Sequence, residues 1–94
     1  MSEIEETLKD IEKLEQALQV YLEYDLMVGG VVSRNIRVLG EIKGLLKEPS
    51  SANIQQAISK SQGIKGDVDQ FSSYVPDLAA AAESLLSRLN SLAK

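Results

Sequence analysis

Apolar residues recur at intervals of three and four along most of the chain, and this spacing limits the fold more than any other feature. It gathers the apolar side chains on one side of a helix and leaves no alternating run from which a half-buried strand could be built. Ile4, Leu8, Ile11, Leu14, Leu18, Tyr21 and Leu22 make a first stripe. Val32, Ile36, Leu39, Ile42 and Leu46 make a second, widened by Val38 and Leu45, and Ile54, Ala57, Ile58, Ile64, Val68, Phe71 and Val75 make a third. Leu78, Ala82, Leu85, Leu89 and Leu92 step by four, three, four and three, the spacing of a coiled-coil seam and the strongest periodic signal present.

Local chemistry divides the stripes into helices. Ser2 and Glu5 have the capping-box spacing, and Glu3, Glu5 and Glu6 oppose the positive end of the helix dipole, so a helix starts at the N-terminus and runs to about Leu26. The adjacent Gly29 and Gly30 each cost about 1 kcal/mol inside a helix relative to Ala and mark a turn or a weak point. Ser33 is placed to cap a second helix running to about Lys47. Pro49 biases Glu48 away from helical geometry, and the serines at 50 and 51 can cap a third helix. The third stripe keeps phase through Gly63 and Gly66, which predicts one long, weakened helix with room for a bend at the glycines. Pro76 suits the first turn of a fourth helix, where its missing N–H costs nothing, and Asp77 complements the dipole there. Short joints between four helices imply an all-α antiparallel bundle, or two long kinked arms folded about Pro49.

The 94 residues fit a single helical domain, and 44% hydrophobic with 26% charged residues is an ordinary globular balance. Aromatics are scarce, only Tyr21, Tyr24, Phe71 and Tyr74, so the core rests on Leu, Ile, Val and Ala. A thin core in a short chain favours extra burial by self-association or docking. The chain has no cysteine, which removes disulfides and thiolate ligands, and residues 1–10 lack the basic head and apolar run of a secretory signal. The expected location is cytoplasmic, without membrane insertion.

Charge is unevenly spread. Residues 1–26 hold eight acids and two bases, residues 27–65 six bases and two acids, and residues 66–94 four acids and two bases, for a net charge of −4. The expectation is mutual neutralisation of the segments, with the bases of the second helix, Arg34, Arg37, Lys43 and Lys47, facing acids of the first. A basic face for phosphate or RNA is the alternative.

Reactive chemistry is poorly represented. The chain has no histidine, so serine nucleophiles lack their usual base, and Ser72 and Ser73 near Asp69 read as solvated surface. Paired acids such as Glu12 with Glu15 and Asp67 with Asp69 match neither a di-metal bundle signature nor a calcium loop. Gly63-Ile64-Lys65-Gly66 has the Gly-x-x-Gly pattern of a KH domain without the strands that pattern requires. Gly40 and Gly44, one turn apart, admit either close helix packing or plain surface. No cofactor is implied, and the chain reads as non-enzymatic.

Val32-Ser33-Arg34-Asn35-Ile36-Arg37, with Ala57-Ile58-Ser59 in the third helix, resembles a family of small archaeal all-helical proteins of uncharacterised function, in which Val-Pro-Arg-Asn-Ile-Arg opens the second helix. Here serine stands at the proline position, the intervening spacing differs, and the tryptophan associated with that family is absent. The resemblance implies a compact helical bundle and no known activity. The function expected from the sequence is a helical protein-interaction or assembly subunit, forming a homo-oligomer or joining a larger complex through a leftover apolar stripe on the first or fourth helix. Its candidate partner-binding residues are Leu78, Leu85, Leu89, Leu92, Arg34 and Arg37, and the alternative is a nucleic-acid accessory protein using the basic second helix.

Overall fold

The computed structural model describes residues 2–71 and 73–94. Four helices run α1 Glu3–Gln19, α2 Val31–Leu46, α3 Ser51–Asp69 and α4 Pro76–Leu92, with a short 3-10 turn at Leu22–Tyr24 between the first two. Each helix packs on its neighbours in sequence, and α4 returns against α1 to close the ring. Moving from Arg34 to Glu41 along α2 moves the ion-pair partner back along α3 by the same seven residues, from Asp67 to Lys60. That is the register of antiparallel neighbours, as the short joints require. The result is an antiparallel four-helix bundle, 37 × 21 × 20 Å.

The core lies along the bundle axis, where the four stripes meet. Ile11, Leu14, Leu39, Ile42, Ile64, Leu85 and Leu89 lose essentially all contact with solvent, with Leu18, Leu46, Val68 and Leu78 beside them. Each buried residue of this size is worth about 1.5–3 kcal/mol. The stripes are more continuous in space than in sequence. Thr7 and Ser61 are also buried and fill gaps in the first and third. The Thr7 hydroxyl donates to the Glu3 carbonyl at 2.7 Å, whereas the Ser61 hydroxyl has no partner.

The helix ends are set by side-chain chemistry. Ser2 Oγ accepts from Glu5 N at 3.1 Å, and Ser50 Oγ from Asn53 N at 3.2 Å. Asn53 completes the α2–α3 turn, its amide donating to the carbonyls of Glu48 at 2.7 Å and Leu45 at 3.3 Å. Both carbonyls also accept a backbone N–H, Leu45 O from Glu48 N at 3.3 Å and Glu48 O from Ser50 N at 2.7 Å, so side chain and backbone hold the reversal together. α3 is a continuous α-helix through Gly63 and Gly66. A Cβ at Gly40, Gly44, Gly63 or Gly66 would meet nothing within 4 Å, so the Gly40 and Gly44 pair is open surface and not a helix contact.

Two expectations are corrected. α1 ends at Gln19, not near Leu26, and Ser33 does not cap α2, whose N-cap is Gly30 with φ +79°. The third connection includes Ser72, which lies outside the described residues.

Leu85→Ala should cost about 2–5 kcal/mol in urea unfolding, since it opens a cavity on the axis. Ser61→Ala should leave stability unchanged or raise it, because a buried hydroxyl without a partner bears its desolvation cost uncompensated. Ser50→Ala should cost about 1 kcal/mol through the lost cap.

Candidate binding cavity at the glycine end of the bundle

Beyond Gln19 the chain keeps coiling but changes its hydrogen bonding. The N–H groups of Tyr21, Tyr24, Asp25, Met27 and Val28 donate to the carbonyls of Leu18, Tyr21, Leu22, Tyr24 and Asp25, each three residues back. Three residues per turn instead of 3.6 stacks every third side chain on one line. Leu18, Tyr21, Tyr24 and Met27 therefore share one wall, while Leu22 and Leu26, which the α-helical period would return to the stripe, turn to solvent. This change of period explains why the sequence overextends the first helix.

Two bonds of the same three-residue span also follow α3, beside a four-residue bond from Val75 N to Phe71 O at 3.0 Å. Phe71 N donates to Val68 O and Tyr74 N to Phe71 O, both at 2.9 Å, so Val68, Phe71 and Tyr74 line up in turn. The two walls face each other with Val28 from the connection before α2, Val31, Val32 and Asn35 from the start of α2, and Val75 and Leu78 from the start of α4. They enclose a cavity of about 600 Å³. All four aromatic residues of the chain converge on it from two segments some fifty residues apart.

The cavity is graded from floor to mouth. Leu18, Val32, Asn35, Val68 and Leu78 are buried at the floor, Tyr21, Val28, Val31, Phe71 and Val75 are half-buried along the walls, and Tyr24, Met27 and Tyr74 are exposed at the rim. Asn35 is the one polar side chain on the floor, 2% exposed, and its amide nitrogen donates to nothing.

A tight turn holds the α1–α2 side in place. Gly29 and Gly30 adopt φ +67° and +79°, and the Gly30 N–H donates back to Asp25 O at 2.8 Å. Asp25 Oδ1 accepts from Ser33 N at 3.0 Å, so a carboxylate caps the first turn of α2 where the Ser33 hydroxyl was expected to do so. The Ser33 hydroxyl, which also lies 3.3 Å from the Gly30 carbonyl, and then the Ser33 N–H hold the Asp25 carboxyl below the usual carboxylate range.

The candidate partner-binding residues fall elsewhere. Leu78, Leu85 and Leu89 are buried and Leu92 half-buried, all facing the other helices, so the fourth stripe is consumed by the protein's own core and none is left over. Leu78 alone reaches the cavity, at its floor. Arg34 is exposed and bonded to Asp67 of α3 at 2.9 Å, not to α1, and Arg37 is exposed one turn further on. Lys43 does reach across to Glu15 of α1 at 2.8 Å, and that hydrogen bond raises its pKa above the usual lysine value. Arg88 of α4 joins Glu6 at 2.8 Å and also Asp10. The charge segments thus neutralise one another within the molecule. Exposed pairs of this kind contribute at most about 1 kcal/mol each.

Among the described residues no group of three acidic side chains is arranged to hold a metal ion, and no helix is long and apolar enough to cross a membrane. Comparison of the chain with protein-family models, with curated proteins and with solved structures gives no match.

Because the folded Asp25 pKa is depressed, its contribution is present above the unfolded value and is lost as pH falls through the folded one. The first turn of α2 should therefore loosen below about pH 4, read as faster exchange or a shifted resonance of the Ser33 amide. Asp25→Asn should remove that titration. Gly30→Ala should cost about 1–2 kcal/mol in thermal unfolding, because the left-handed backbone there strains any L side chain.

Proposed function

We propose that this chain is a non-enzymatic, cytoplasmic, helical interaction protein that joins copies of itself or a larger assembly through the open end of the bundle. One observation carries the reading. The large apolar side chains exposed among the described residues are Val20, Leu22, Tyr24, Leu26, Met27 and Tyr74, and all of them lie in the two connections at that end. Leu26 is 96%, Met27 82% and Tyr74 83% exposed. Single exposed apolar residues are ordinary, but their concentration at one pole, around an aromatic mouth, is the pattern of a protein-contact surface. The proposed contact lies at the end of the bundle instead of along α1 or α4, because the stripes on those helices are already covered.

The basic second helix gives weaker support to nucleic-acid binding. Arg34 and Lys43 are occupied by Asp67 and Glu15, and the aromatic side chains available for stacking lie in the cavity walls and rim.

Light scattering at increasing protein concentration, alone and with copurifying protein, tests the proposal. A species heavier than the 10.3 kDa chain is expected, reverting to 10.3 kDa in Leu26→Ser with the helical circular dichroism unchanged. A monodisperse 10.3 kDa species throughout, with no copurifying partner, would contradict it.

A further inference from the structure

The α1–α2 reversal lies on a sequence pattern that does not call for a reversal. Two series of positions seven residues apart run through it from Ile4 to Leu46. Ile4, Ile11, Leu18, Asp25, Val32, Leu39 and Leu46 make one, and Thr7, Leu14, Tyr21, Val28, Asn35 and Ile42, three places on, make the other. On α1 and α2 every member is buried except Ile4, which is half-buried. A seven-residue repeat with that offset is the seam of a coiled coil, and a loop that only turns the chain round need not keep its phase. At the Pro49 reversal the phase is lost: the same count from Leu46 lands on Asn53 and Lys60, outside the core.

The backbone of the connection is also close to a continuous helix. Residues 20–28 keep coiling with hydrogen bonds three residues back, and between Glu3 and Leu46 only Gly29 and Gly30 have a positive φ. Glycine takes right-handed φ as readily, and a Cβ at either position would meet nothing within 4 Å. Turning two residues therefore joins α1 and α2 into one rod with one unbroken seam. The α3–α4 connection keeps its phase too, but Pro76 has no N–H and its ring clashes with a helical carbonyl four residues back, so that reversal stays closed.

We propose that two copies of the chain exchange α1, each straightening through Gly29-Gly30 so that its α1 docks on α2 and α4 of the other. The proposal rests on reading the glycine end as a contact between copies, and it says what that contact is. No spare stripe is required, because α1 makes with the second copy the contacts it makes here with α2 and α4. The register is compatible. Glu15 pairs with Lys43, and antiparallel rods that keep this pairing set Gly29 of one copy opposite Gly29 of the other. Asp25, the one charged member of the series, then stands across from Ser33, its hydrogen-bond partner within the chain.

Zero-length coupling tests the exchange, because a carbodiimide joins Lys43 to Glu15 only where Nζ and Oε1 meet, 2.8 Å apart here. Equal amounts of isotope-labelled and unlabelled whole chain are unfolded together, refolded, coupled and digested. In a species heavier than 10.3 kDa the Glu15–Lys43 peptide should carry mixed labels in about half of its copies, the random-pairing value for a symmetric dimer, while the Glu41–Lys60 peptide stays unmixed. Gly29→Ala with Gly30→Ala is strained at positive φ and favoured in a helix, so it should tighten dimerisation more than about a hundredfold. Asp25→Leu removes the cap on α2 and fills the seam, should tighten it about tenfold, and serves if the alanine variant does not fold. Unmixed Glu15–Lys43 peptide from a heavier species overturns the exchange while leaving assembly through the glycine end standing. Variants that fold and stay at 10.3 kDa also overturn it. A wild-type chain at 10.3 kDa throughout, with mixed peptide from either variant, supports the exchange and counts against assembly as the function.

Discussion

Burial of four apolar stripes on one axis is the constraint on which the rest of the structure depends. A chain this short has little apolar material to spare, and nearly all of its Leu, Ile and Val on helices is committed to that axis. With no stripe left over, none of the four helices has an apolar side to offer elsewhere. The outer faces of α2 and α3 carry glycines and charge, and the ion pairs between helices neutralise an otherwise uneven sequence without contributing much to stability.

The aromatic end exists because the α-helical period stops there. Beyond α1 the chain tightens to three residues per turn, two bonds of that span also follow α3, and all four rings of the chain are among the residues at that spacing. Side chains that an α-helix would have folded back into the core are directed outward, and those that line the cavity are directed inward. A single change in hydrogen bonding therefore produces both the exposed rim and the apolar interior. The Gly29-Gly30 turn and the Asp25 cap then hold the start of α2, and Asn35 with it, against this end.

Much of the fold was legible in the residues. The four stripes, the reversal at Pro49, the start at Pro76 and the Ser2 cap all rest on local chemistry whose signal is a few residues long, and the bundle contains each of them. The boundary of α1 was not legible, because Leu22 and Leu26 continue the α-helical spacing that the backbone abandons at Gln19. The cap on α2 was missed because the anion comes from Asp25, eight residues before its Ser33 partner, whereas capping patterns in sequence span only three or four. Ser61 and Thr7 read as polar interruptions and are in fact buried members of their stripes. The candidate site was the least legible part. The Leu78, Leu85, Leu89 and Leu92 seam has the strongest periodicity because it is core, and strong periodicity is no guide to what remains exposed. The clue present in the sequence was weaker: Leu18, Tyr21, Tyr24 and Met27, and again Val68, Phe71 and Tyr74, recur at strict intervals of three.

Native-state hydrogen exchange tests the central claim most directly, that all four stripes are held in one core while the glycine end stays open. Amides at the middles of the helices, at Leu14, Leu39, Ile64 and Leu85, should exchange together through global unfolding. Those of residues 20–28 and of Phe71 and Tyr74 should exchange faster, by local opening. Exchange of α4 well ahead of the other three helices, or an aromatic end protected as fully as the middle, would contradict the account.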